Sequence, residues 1–346
     1  MNNGREFINR YSEDSDNYYN NYYNYNTTQS IDYYQNQYYT TQYYQYPYTT
    51  QTIPYPQDYS LYYYSEDKAP TGIYNLDQYL GGGFKRGEVY LIAGEAGTGK
   101  TIFSLTFLKT GADAGEVGMY VSVDEPSEDV KRGVRYALGW DLDSYEQEGK
   151  LIMADFRTYF RIYTKEEKLT VDPRDLAKMI IEQVRSKGVK RLVIDPIAPL
   201  IIMSHQDVIW IREYLRELVF QLKKLKDVTT VMTSEIPTGE ENKLSRFGVE
   251  EYLASGVIML SLRELNTQDG GSGCLARIMF IRKMRWMPIR PIKLIYDIKE
   301  PYGIIIHGPL NNNYVIQNYC SNATNQAMYW PYPQQQQYPP QYYPSY

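Results

Sequence analysis

The sequence predicts an α/β fold: a mostly parallel central sheet with helices on both faces and an antiparallel extension toward its C-terminal side. Three observations carry that prediction. Apolar strand-like runs alternate with amphipathic helical stretches through the middle of the chain, the pattern of crossover units. A glycine-rich loop joins the first of those runs to the first long helix. After Ser255 the alternation stops, and four apolar runs follow with only short turns between them.

The elements follow in order. The apolar run 89–93 reads as a buried strand, and the loop Gly94-Glu95-Ala96-Gly97-Thr98-Gly99-Lys100-Thr101 follows it directly. Ile102, Phe103, Leu105, Phe107 and Leu108 then recur at helical spacing, with Gly111 as the expected C-cap. Residues 118–123 form a second strand. Ser127 is the expected N-cap of a helix with Glu128 and Asp129 in its first turn and the stripe Val130, Val134, Leu138. The run 191–195 is a strand ending in Asp195. From 207 to 227, Val208, Ile211, Leu215, Leu218, Leu222 and Leu225 mark a long helix, and 228–232 is another strand. The antiparallel runs are 256–261, 276–283, 292–296 and 303–306.

The loop matches G-x-x-x-x-G-K-[ST], the phosphate-binding pattern, with the strand before it and the helix after it that this chemistry requires. Its glycines let successive backbone N–H groups turn into one concavity, and the helix N-terminus adds partial positive charge. Residues 94–101, with Ile102 behind them, are therefore the candidate nucleotide-binding segment. Lys100 is expected to reach the β- and γ-phosphates of ATP, and the Thr101 hydroxyl to ligate Mg²⁺. Asp195 ends a hydrophobic strand roughly a hundred residues later, where a carboxylate would hold Mg²⁺ directly or through water; a strand-end aspartate is also a common turn former. Asp124 and Glu125 end the strand after Tyr120, and either carboxylate could polarise an attacking water or simply solvate a helix entry.

Composition sets the domain limits. Of 39 tyrosines, 19 fall in residues 1–64 and 8 in residues 314–346, and residues 301–346 hold no Lys, Arg, Asp or Glu. Both ends are rich in Tyr, Asn, Gln and Pro, so 1–68 and 310–346 are expected to be disordered low-complexity tails suited to self-association or partner docking, with 69–309 as the folded domain. Outside residues 1–64 the chain carries 34 basic against 35 acidic residues, which does not favour a nucleic-acid partner. Cys274 and Cys320 give neither metal spacing nor a disulfide framework, which suits a reducing cytoplasm. No apolar stretch is long enough to span a bilayer, so no membrane partner is expected.

These residues resemble the single-domain, archaeal-type KaiC-like ATPases of the RecA superfamily over about residues 70–309. The resemblance runs through Thr71-Gly72-Ile73, Leu76-Asp77, Leu80-Gly81-Gly82-Gly83 and Gly87, the phosphate loop, Gly139-Trp140-Asp141, the Asp195 strand and Phe247-Gly248-Val249-Glu250-Glu251. It implies a RecA-like fold and an ATP site shared between neighbouring subunits of a hexamer-type ring. Asp124 and Glu125 fall on the family's paired catalytic carboxylates, with aspartate at the first, which implies slow hydrolysis. Thr233-Ser234-Glu235 resembles the γ-phosphate-sensing segment. Lys283-Met284-Arg285 is similar to the Lys-x-Arg whose cations reach the adjacent subunit's ATP; without the resemblance, Lys283 and Arg285 read equally as one solvent face of a strand. Trp286-Met287-Pro288 and Pro196 depart from the family pattern. The implied activity is hydrolysis of ATP to ADP and phosphate in a regulatory or signalling ATPase. A DNA-dependent recombination ATPase, with Lys243 and Arg246 lining a channel, and a nucleotide-gated scaffold that barely hydrolyses are the alternatives.

Overall fold

The computed structural model describes residues 67–156, 173–198, 208–236, 245–266 and 273–328, all within one unit spanning 58–346. Strand β1 (Lys68–Ala69), helix α1 (Tyr74–Tyr79) and strand β2 (Phe84–Lys85) form the entry, with β1 and β2 paired antiparallel. Asp77 holds this turn together. It is buried and accepts hydrogen bonds from Thr71 N at 2.8 Å, Thr71 Oγ1 at 2.7 Å and Gly72 N at 3.1 Å.

The central elements are β3 (Val89–Gly94), α2 (Lys100–Asp113), β4 (Gly118–Ser122), α3 (Ser127–Leu138), α4 (Leu142–Gln147), β5 (Leu151–Asp155), α5 (Pro173–Ser186), β6 (Arg191–Asp195), α6 (Val208–Lys223), β7 (Thr229–Glu235) and the short α7 (Glu250–Leu253). Strands β8 (Gly256–Leu265), β9 (Cys274–Met284), β10 (Ile292–Lys299) and β11 (Gly303–Pro309) follow, then helix α8 (Asn313–Met328). One nine-stranded sheet has the order β11-β10-β9-β8-β3-β7-β6-β4-β5. From β8 to β5 every pairing is parallel, and β8 through β11 are antiparallel. The RecA-like α/β arrangement that the resemblance implied is thus the observed one.

The strands read as unbroken apolar runs because both faces are covered. Alternate residues serve opposite cores. Tyr90 and Ile92 pack with Phe103, Phe107 and Leu108 of α2, while Val89, Leu91 and Ala93 pack with Ile180 of α5 and Leu215, Leu218 and Leu222 of α6. Burying a side chain such as Phe103 or Leu218 contributes about 1.5–3 kcal/mol. Helix α2 is buried around most of its girth, so it is a central helix rather than a surface one.

Several expectations are corrected. Gly111 does not cap α2, which runs on to Asp113 with Ala114 as C-cap. Gly111 is instead the gap into which the buried Arg191 side chain fits: a Cβ there would lie 2.3 Å from Arg191 Cδ. Ser127 is the first helical residue of α3, and Pro126 occupies the N-cap without a side-chain hydrogen bond. The tail assigned to 310–346 is helical over its first part, α8. Leu310, Val315, Ile316, Tyr319 and Cys320 pack on Ile278 and Ile295, so a few apolar residues suffice to dock a stretch rich in Asn and Gln. Cys274 and Cys320, read as having no disulfide framework, are joined by a disulfide; the sheet brings together residues 46 positions apart that no local spacing connects. The tyrosine-rich segment before 67, residues 329–346 and Lys243 lie outside the described residues.

Candidate nucleotide-binding site

Four adjacent strands end along one edge of the sheet, and each delivers a polar group there. The phosphate loop leaves β3 at Gly94. The neighbouring β7 ends in Glu235, β6 ends in Asp195, and Asp124 and Glu125 lie just beyond β4. Parallel strands make this convergence automatic, since all their carboxyl ends point the same way.

The loop has the backbone its glycines permit. Gly97 and Gly99 have φ values of 75° and 91°, the left-handed region that side-chain-bearing residues avoid. Thr98 is buried, and its hydroxyl donates to Glu95 O at 2.7 Å. The Lys100 ammonium lies within the curl, donating to Gly94 O at 3.0 Å and Glu95 O at 2.9 Å. Burial lowers the Lys100 pKa, with Glu235, Asp195 and Glu95 opposing that shift. The first-turn N–H groups of α2, from Lys100 to Ile102, face the loop without intrahelical acceptors, as any helix start requires. Glu95 also faces Arg263 of β8 at 3.7 Å.

Asp195 is buried and held by three hydroxyls. Thr101 Oγ1 donates to Oδ2 at 2.8 Å, Tyr120 OH donates to the same oxygen at 2.7 Å, and Thr233 Oγ1 donates to Oδ1. The structure therefore brings Thr101 and Asp195 together. Tyr120 and Thr233 are partners that motif reading did not supply; both lie on strands flanking β6, and cross-strand neighbours carry no signature in one chain. The oxygen pair of Thr101 and Asp195 fits Mg²⁺, a hard ion that takes one or two protein oxygens and completes its shell with phosphate and water. Among the described residues there is no cluster of three or more His, Cys, Asp or Glu that could hold a metal ion.

Asp124 and Glu125 are both exposed at this edge. Desolvation raises the Asp124 pKa, and the negative charges of Glu235 and Asp195 push it the same way, while Arg246 opposes them. Arg246 itself pairs with Glu235 at 3.4 Å. The Ser122 hydroxyl donates to the Glu125 carbonyl, fixing the turn. Buried Glu250 braces the segment after β7, accepting from Ser234 Oγ at 3.1 Å, Ser245 Oγ at 2.6 Å and Val249 N at 3.1 Å.

From the antiparallel side, β10 also touches the loop. Tyr296 OH donates to Thr98 O at 2.5 Å, and a Cβ on Gly99 would meet Ile298 Cδ1 at 2.6 Å. These contacts lie nearly 200 residues from the motif and were not legible in it.

Lys283 and Arg285 are elsewhere. Lys283 pairs in register with Val257, which pairs with Leu91; Gly94 at the loop pairs with Leu260. That offset of three residues is about 10 Å along the strands, away from the loop. Lys283 Nζ donates to Glu251 O at 2.7 Å and Ala254 O at 2.8 Å, and Arg285 donates to Tyr252 O at 2.8 Å. Burial, aided by the Arg285 and Lys223 charges, lowers the Lys283 pKa to about 8. The chain does not bring these cations to its own phosphate loop. Beside them Trp286 is exposed with φ 64°.

Comparison with known proteins agrees with this geometry. The family model described as "ATPase: KaiC" matches residues 69–311. A UPF0273 protein of Thermotoga maritima is 34% identical over 248 residues, covering 69% of this chain and 96% of its own length. The circadian clock protein KaiC3 of Synechocystis is 34% identical over 198 residues, which is 56% of this chain and 37% of that protein. The crystal structure of a KaiC-like protein from the hyperthermophilic archaeon Pyrococcus horikoshii is similar with a TM-score of 0.57 and 35% identity, over 69% of this chain and 98% of that one. No helix among the described residues is long and apolar enough to cross a membrane.

Proposed function

The chain belongs to the KaiC-like ATPases of the RecA superfamily and carries their ATP-binding domain, and on that premise we propose that it is a slow ATPase acting as a ring of identical copies. The observation that carries this reading is the placement of charge. The anionic edge holds Asp195, Glu235 and Asp124 beside the phosphate loop, whereas Lys283 and Arg285 sit apart from it on the same subunit. A head-to-tail ring would set the cations of one copy against the nucleotide of the next.

In this reading residues 94–102 wrap the phosphates, with Lys100 turning from the loop carbonyls to the β- and γ-oxygens. Thr101 and Asp195 would hold Mg²⁺, which would draw charge from the β- and γ-phosphate oxygens. Asp124 or Glu125 takes a proton from the attacking water as its oxygen bonds to the γ-phosphorus. The bond to the β-phosphate oxygen then breaks, leaving ADP and phosphate. Burial and the nearby negative charges of Glu235 and Asp195 raise the pKa of Asp124, which suits a carboxylate that accepts a proton. Its side chain is one methylene shorter than glutamate, which keeps it farther from the water and the rate low. Lys283 and Arg285 of the neighbouring copy would neutralise charge on the transferred phosphoryl group. Tyrosine-rich segments at both ends serve as sites for self-association or partner docking, a role their stacking and phenol hydrogen bonds support. The near balance of basic and acidic residues favours a regulatory role over DNA processing.

Measuring mass in solution with ATP, with ADP and without nucleotide tests the ring. A closed assembly favoured by ATP is expected. A monomer under all three conditions would refute the shared site.

A further inference from the structure

Strand β10 has two differently employed faces. Tyr296 and Ile298 point toward the phosphate loop, contacting Thr98 O and the Gly99 backbone. Asp297, between them, points the other way, as strand geometry demands. It accepts a hydrogen bond from Tyr319 of α8 at 3.0 Å and faces His307 Nε2 at 3.2 Å. Burial alone would raise the Asp297 pKa, but His307, Tyr319 and Lys299 together hold it low. Tyr319 stands next to Cys320, which is disulfide-bonded to Cys274 at the start of β9. The same helix covers Ile278 and Ile295 through Val315, Ile316 and Tyr319. A contiguous set of contacts therefore runs from the disulfide, through one strand, to the loop that binds the triphosphate.

We propose that Cys274–Cys320 is a thiol–disulfide exchange site that sets ATP affinity through helix α8 and strand β10. Cys274 is partly exposed and Cys320 buried, so a dithiol attacks the Cys274 sulfur. Its thiolate forms a mixed disulfide with Cys274, and Cys320 leaves as a thiolate that takes a proton from water. The second thiol of the dithiol then attacks its own mixed-disulfide sulfur and releases Cys274, so two electrons and two protons pass from the dithiol to the protein. Once cut, α8 loses its covalent tie to β9 and keeps a small apolar cluster, the Tyr319 hydrogen bond and the edge contact of Tyr319 with His307 among its described contacts, so its opening costs less than before. Opening uncovers Ile295 and takes the Tyr319 hydrogen bond from Asp297, and β10 loses the backing that keeps Tyr296 and Ile298 against the loop. Oxidised protein holds ATP tightly and reduced protein holds it loosely.

The test uses the full chain and reads ATP binding alone, so it stands apart from the proposed hydrolysis and ring. Thiols are titrated under native conditions with a chromogenic reagent, before and after a small dithiol, and MgATP affinity is measured calorimetrically in each state. No thiols before reduction and two afterwards are expected, with the ATP dissociation constant rising about fivefold or more and returning on reoxidation. In the oxidised chain Tyr319→Phe should weaken ATP binding in the same direction, with the disulfide intact. Two free thiols at the outset would overturn the proposal. So would unchanged ATP affinity after both thiols appear, even with a lower melting temperature, because the bond would then be only a staple. A folded Cys274→Ser/Cys320→Ser chain should bind ATP as the reduced protein does and ignore the dithiol; continued sensitivity would also overturn it.

Discussion

Replacing Asp195 with asparagine separates its chemical role from its structural one. Asp195 is buried and accepts three hydroxyl donors, two on Oδ2 and one on Oδ1. Asparagine keeps an acceptor for Thr101 and Tyr120, and Thr233 can rotate to accept from the new amide. Each bond to a charged group is worth about 1.5–3 kcal/mol and each neutral one about 1 kcal/mol. The three weakened bonds are offset by removal of the cost of burying a carboxylate, several kcal/mol before compensation. Asp195→Asn should therefore shift the unfolding free energy by no more than about 1 kcal/mol in urea titration. Turnover should behave differently. Losing the anionic oxygen beside Thr101 removes the protein charge proposed to hold Mg²⁺, and kcat should fall by about 100-fold or more while the magnesium concentration for half-maximal activity rises. Full turnover at ordinary magnesium would refute the metal role. A severe loss of stability with proportionate loss of activity would make Asp195 a structural residue.

Lys100→Ala should lower ATP affinity by about 100-fold or more, since it removes the ammonium that lies inside the loop curl; isothermal titration measures this, and undiminished affinity contradicts the assignment. Lys283 gives a pH signature in the subunit without a neighbour. Its pKa falls from 10.5 to about 8 on folding, so between those values the unfolded chain holds a proton that the folded chain has released. That contribution to stability therefore rises with pH across the window. Lys283→Met should flatten the rise in urea titrations from pH 8 to 10, and an identical slope in both proteins would contradict the burial argument.

What was legible was local. The phosphate loop joins one strand to the next helix within eight residues, and Asp195 closes an unbroken apolar run, so each could be read from its own surroundings. Tyr120, Thr233 and Tyr296 could not, because their partners lie across the sheet and pairing leaves no trace in a single strand. Strand β5 is short and only its first residue is fully buried, which weakens its apolar signal, whereas α5 was legible in the spacing of Ala177, Ile180, Ile181 and Val184 and was overlooked. The C-terminal helix was hidden by composition. Its Asn and Gln content resembles the tail beyond it, and only the spacing of Val315, Ile316, Tyr319 and Cys320 betrays a docking edge. The disulfide depends wholly on that docking.

The central claim, that one copy completes the site of the next, is tested most directly by mixing two inactive variants. A Lys100→Ala chain keeps Lys283 and Arg285 but lacks its own loop cation. A Lys283→Ala/Arg285→Ala chain keeps the loop but lacks the donated cations. Mixed rings contain sites in which the second chain's ATP faces the first chain's Lys283 and Arg285, so ATP turnover should reappear on mixing and peak near equal proportions. Turnover no higher than the sum of the separate variants, in mixtures shown by mass to contain both chains in one ring, would contradict a site shared between copies.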